Sequence, residues 1–207
     1  LPRVASGEQV LALALTEPDY GWGPESVQLR AERHGDTYSL SGVKLFVHDA
    51  LAATHLLCVA RTREEDILHG ITVFLIDRTT QGVHVRNLSG FFGSVAEVRL
   101  QDVELPISSV LGQENMAWEP LGTAILRAIP ILCAYQVGAC QTVFDMTLKY
   151  SQTREAFGQP IGRFQRVQDH IIDIVNHLDG ARWATYEAIW RLESNREPRA
   201  SVHLAKV

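Results

Sequence analysis

The sequence lacks most of the features that would assign it at a glance. It has only three cysteines, Cys58, Cys133 and Cys140, and none are in CxxC spacing. An odd, scattered set excludes a disulfide framework and a close-spaced zinc site, and suits buried free thiols in a reducing compartment. Positive charge is scarce: 19 Lys and Arg stand against 24 Asp and Glu, a formal charge of −5, the wrong sign for a nucleic-acid surface. His170 and His177 share a helix face without HxxxH or HExxH, so they are expected as surface or satisfied helix positions and no metal is expected. No run approaches about 18 consecutive apolar residues, because Glu17, Asp19 or Arg127 interrupts each, so no membrane span is expected. GxGxxG, GxxxxGK[ST] and GxSxG are all missing, which leaves Rossmann, P-loop and nucleophile-elbow readings without support. There is no internal repeat and no signal-peptide pattern, and the chain opens on Leu1-Pro2-Arg3 rather than Met, as a fragment would.

What the sequence does contain is 207 residues, 46% hydrophobic and 21% charged, enough for one ordinary core or two small ones. From residue 9 to about 112 the pattern is β. Apolar or alternating runs at 10–15, 38–47, 56–60, 71–76, 83–85 and 95–100 are separated by turn residues at Gly35-Asp36, Asp49-Ala50 and 79–82. No helix-length segment separates them, so a barrel or sandwich is expected rather than a βαβ sheet. Beyond Gly112 the period changes to that of helices. One helix is expected near 118–152, with Leu121, Ile125, Leu132, Val137 and Phe144 inward and Pro130 kinking or breaking it. A second is expected near 163–193, with Val167, Ile171, Ile174, Val175, Leu178 and Trp183 on one face, and a third from Arg199 to the end.

Three stretches carry chemistry. Leu15-Thr16-Glu17-Pro18, followed by Gly21 and Gly23, sits at a strand end where a loop can expose amides and a hydroxyl. Phe46 and His48 share one side of a strand, though alone they read as core packing and a solvated strand end. Arg154, Phe157, Gly158 and Gln165 lie around a helix junction, where a guanidinium, an aromatic ring and an amide can grip an anionic, planar ligand.

In this order the stretches resemble the acyl-CoA dehydrogenase family. Thr16-Glu17-Pro18 is similar to its TEP motif, Phe46-Val47-His48 to its W-I-T strand end, and 105–112 (LPISSVLG) to its VP-x-x-x-VLG. Arg154, Phe157, Gly158 and Gln165 match its R-x-x-FG…Q. The resemblance implies an α+β chain: a β-barrel middle domain over 1–112, followed over 113–207 by part of an antiparallel helical bundle. It also implies FAD held between the β domain of one subunit and the bundle of its dimer mate. Leu15 and Thr16 would then meet the pyrimidine edge of the flavin. Phe46, Val47 and His48 would line the ring near N5, and Arg154, Phe157 and Gln165 would hold the neighbour's FAD, with Arg154 at the pyrophosphate.

The implied reaction removes the α proton of an acyl-CoA while the β hydride passes to flavin N5, with electron-transfer flavoprotein or a similar acceptor downstream. The implied location is the cytoplasm, or the mitochondrial matrix in a eukaryote. Two departures stand out. His48 replaces the Thr of W-I-T, and Trp22 replaces the Ser of the TEPGAGS loop, where it would narrow the acyl entrance or simply pack. The family's catalytic Glu falls beyond these residues or aligns with Ala128, so no catalytic residue is assigned; Asp145, Asp169 and Asp173 read as solvated helix positions. The alternative is a non-catalytic partner subunit that completes the FAD site of a different chain in a hetero-oligomer. A plain β-barrel ligand-binding module is a third reading, resting on fold pattern alone.

Overall fold

The computed structural model describes residues 2–64, 67–90 and 93–207. The chain divides into two compact units, residues 1–121 and 122–207, and its class is α+β.

The first unit opens with a helical turn, α1 (Pro2–Ala5), and continues as β1 (Leu11–Ala14), β2 (Ala31–His34), β3 (Thr37–His48), β4 (His55–Arg61), β5 (Ile71–Asp77), β6 (Val83–Leu88), β7 (Val95–Pro106) and β8 (Val110–Leu111). They form two four-stranded sheets, in the orders β1-β4-β5-β8 and β2-β3-β7-β6, with β1 parallel to β4 and the other pairs antiparallel. Both sheets bury residues in one core, including Ala14, Leu56, Phe74 and Ile76 from the first and Tyr38, Leu40, Val98 and Leu100 from the second. Bonds between the sheets curl them toward a barrel: Leu45 N donates to Thr16 O at 2.8 Å and Arg61 N to Leu29 O at 2.7 Å.

β4 and β5 are the buried apolar runs expected of central strands. β2 was not expected, because Ala-Glu-Arg-His carries no apolar alternation and buries only Ala31. Hairpin pairing with β3 across Gly35 makes it a strand.

The turn between β5 and β6 depends on glycine. Gly82 has φ of +88°, and a Cβ there would sit 2.2 Å from Gln101 O, the carbonyl of the residue whose N–H bonds Gly82 O. Gly82→Ala is expected to lower stability by about 2 kcal/mol or more, through strain and displacement of β7. An unchanged urea midpoint would contradict this.

In the second unit, α2 (Trp118–Thr153, beginning in the first unit), α3 (Gln165–Glu193) and α4 (Arg199–Lys206) are the main elements. Of the kink or break expected at Pro130, the break does not occur: α2 continues through it, since one missing donor does not outweigh the helical ladder on either side. Leu132, Ile174 and Trp183, expected inward, are 46%, 38% and 69% exposed; Leu178 is buried as expected, and Cys133, Thr185 and Ala188 are buried with it. Arg182 donates to Gln141 Oε1 at 2.6 Å, tying α3 to α2. By length and composition alone α2 is long and apolar enough to cross a bilayer, a test that the core helix of a soluble protein also passes.

Candidate functional site

The β unit builds its site from the loop after β1 and the end of β3. Leu15 is buried, and its carbonyl accepts from Lys44 Nζ at 3.2 Å. Thr16 is half-buried, with its carbonyl bonded to Leu45 N and its hydroxyl without a partner among the described residues. Glu17 turns inward: Oε1 lies 2.7 Å from Lys44 Nζ, and the carboxylate accepts from Leu29 N and Gln28 N at 3.1 Å. The Lys44 side chain is 0% exposed. The TEP-like Glu and a strand Lys are therefore one buried ion pair, fastening the loop to β3. Sequence reasoning passed over it, although a Lys between Val43 and Leu45 in a core strand demands a partner.

Just beyond Lys44 the β3–β7 pairing slips, so that Lys44 pairs with Val98 and Val47 with Ala96. Phe46 absorbs this bulge with φ of 52°. Phe46 is half-exposed and His48 exposed, while Val47 points into the core at 1% exposure. The side chains of Leu15 and Val47 thus serve the core, and what they can offer a ligand is main chain. Trp22 stands out at 72% exposure.

Cys58, on β4, is buried near the Glu17–Lys44 pair. Burial pushes its thiol up to about 11 from 9.0, with Lys44 opposing and Glu17 adding to the rise. Between those values the unfolded chain has released a proton that the folded chain keeps, so stability should fall as pH rises from 9.0 toward about 11 and level off above. Urea midpoints across the alkaline range test this, and Cys58→Ala should flatten the slope.

In the helical unit the site is the connection from α2 to α3. β9 (Glu155–Ala156) and β10 (Gln159–Pro160) form a hairpin whose turn is Phe157, φ 53°, and Gly158, φ 79°. Ile161 N donates to Arg154 O at 2.8 Å. A Cβ on Gly162 would lie 3.0 Å from Ser151 O, so the chain after the hairpin presses against the end of α2. Arg154, Phe157 and Gln165, expected together, share this connection. Arg154 is exposed, and its guanidinium has no partner among the described residues; Phe157 is 96% exposed, edge-on to Phe164 at 6.1 Å; Gln165 is exposed at the first residue of α3. A groove of about 540 Å³ beside them is lined by Leu148, Gln152, Pro160, Arg163 and Ile172, among others.

A free cation, an outward ring and an unspent amide fit the anionic linkage and planar rings of a dinucleotide such as FAD. The unspent Thr16 hydroxyl, with Phe46 and His48 facing outward, fits a flavin ring on the β unit. The geometry assembles no acid–base pair on the helices. Asp145 is occupied by Gln141 Nε2 at 2.8 Å, Asp173 is exposed, Asp169 is half-buried, and position 128 is Ala. Among the described residues no group of three or more His, Cys, Asp or Glu could hold a metal ion.

Comparison with known proteins gives the same division. The model of the acyl-CoA dehydrogenase middle domain matches residues 12–103, and that of the acyl-CoA dehydrogenase C-terminal domain matches 125–207. Mitochondrial isovaleryl-CoA dehydrogenase of Pongo abelii is 32% identical over 192 residues, covering 90% of this chain and 45% of that protein. The acyl-CoA dehydrogenase structure from Geobacillus kaustophilus superposes with a TM-score of 0.93 at 25% identity, covering 99% of this chain and 56% of its own. A structure of PigA with FAD and proline gives 0.91 at 27% identity, covering 98% and 54%. The chain spans about half the length of the relatives it matches. With one family model on the β unit and another on the helices, this chain belongs to the acyl-CoA dehydrogenase family, whose members use FAD.

Proposed function

We propose that this chain supplies the middle domain, residues 1–112, and the first part of the C-terminal bundle, residues 113–207, of a FAD-dependent acyl-CoA dehydrogenase. The observation that carries the reading is the unpaired, exposed Arg154 on a hairpin pinned to the end of α2, with Phe157 and Gln165 beside it. Arg154 would hold the FAD pyrophosphate, Phe157 and Gln165 would flank it, and that FAD would belong mainly to another subunit. Thr16, Phe46 and His48, with the main chain of Leu15 and Val47, would hold the flavin of their own β unit. Bound FAD would supply the acceptor for the β hydride of an acyl-CoA. Trp22 would narrow the acyl entrance. The α proton requires a carboxylate base, and none is assigned among the described residues. Electron-transfer flavoprotein or a similar protein would take the electrons onward. The cytoplasm, or the mitochondrial matrix in a eukaryote, would house the protein.

A second reading is favoured by His48 and Trp22, which alter only the flavin site on the β unit. In it the chain is a non-catalytic subunit that lends Arg154, Phe157 and Gln165 to a different chain. Flavin stoichiometry in the native assembly separates the two. One FAD per copy in a homo-oligomer rejects the partner reading, while flavin that appears only with a second type of chain rejects the homomeric one. In the partner case, His48→Thr with Trp22→Ser should recover flavin on this chain's own β unit.

A further inference from the structure

Outside the residues assigned above, the β unit holds a second strained backbone position next to Phe46. Tyr20 has φ of 60° and Phe46 φ of 52°, both in the left-handed region that bulky residues avoid. Their rings meet with centroids 5.9 Å apart and planes tilted by 34°, yet they remain 60% and 50% exposed.

The contact is built rather than loose. Tyr20 N donates to Glu17 O at 2.9 Å, and the Glu17 carboxylate is held by Lys44, two residues before Phe46. Leu45 N bonds Thr16 O from the neighbouring position. Loop and bulge are thus fastened together from beneath, and the two rings meet above the fastening. Strain kept at two adjoining sites is of the kind that clusters at ligand clamps and active sites.

The residue exchange at these positions is complementary. Aligned on Thr16-Glu17-Pro18, Tyr20 stands where TEPGAGS has Ala, and Phe46 stands where W-I-T has Trp. A large residue stands where the motif has a small one, beside a ring smaller than the motif's indole.

We propose that Tyr20 is a positioning residue for the flavin. It buttresses the Phe46 ring across the tilted 5.9 Å contact and adds to the aromatic surface beside the flavin, which Phe46 alone offers less of than an indole. The proposal rests on the FAD reading above and concerns the flavin held by this chain's own β unit.

The test uses the native full chain with FAD as the probe, reading the Kd and the fluorescence of bound flavin, which neighbouring Tyr and Trp rings quench. Tyr20→Ala should weaken FAD binding about tenfold, the scale of one ring contact, and raise bound-flavin fluorescence. Tyr20→Phe should keep the Kd near its original value, and adding Phe46→Trp to Tyr20→Ala should restore it. An unchanged Kd and fluorescence in Tyr20→Ala, alongside flavin loss in Arg154→Ala, overturns the role of Tyr20 and leaves the FAD reading standing. Failure of Tyr20→Phe to retain binding, or of Phe46→Trp to restore it, also overturns the proposal. A native protein that binds no FAD overturns both.

Discussion

Lys44→Met should destabilise the β unit by about 3–5 kcal/mol, the cost of leaving one member of a buried ion pair without its partner. The Lys44 side chain is 0% exposed and that of Glu17 7%, so water cannot take over the lost contact. The carboxylate would keep the Leu29 and Gln28 amides but lose its cation, and Leu15 O would lose a donor. Adding Glu17→Gln should recover a substantial part, because a neutral amide oxygen can still accept from those N–H groups. Urea denaturation of the single and double variants measures this coupling directly. A Lys44→Met unfolding free energy within about 1 kcal/mol of the original would sink the idea, since it would mean that the pair contributes little more than a surface bridge.

Arg154→Ala should weaken FAD binding by roughly a hundredfold, about 3 kcal/mol, while leaving the fold intact. The guanidinium holds nothing among the described residues, and the hairpin is fixed by main-chain bonds from Arg154 N to Tyr150 O and from Ile161 N to Arg154 O that alanine keeps. Arg154→Lys should recover only part of the affinity, because an ammonium lacks the planar fork that matches a pyrophosphate. Flavin content after gel filtration is the measurement, and a variant that elutes with its full flavin complement would remove Arg154 from the site.

Some of this molecule is determined by sequence alone. The period-2 runs from residue 9 to 112 and the period-3.6 runs beyond are local signals, because burying one face of a strand or helix dictates the repeat. The residues Thr16, Arg154, Phe157 and Gln165 are singled out by their likeness to family motifs, each of which lies within one short segment. Tertiary structure decided the rest. β2 is a strand only because β3 pairs with it, and the helix continues through Pro130, where its residue type predicts a kink or a break. Glu17 meets Lys44 across 27 residues, and Tyr20 meets Phe46 across a loop and a bulge. A buried charge or a strained ring contact leaves no periodic trace, because its partner is chosen by the fold and not by the neighbouring sequence.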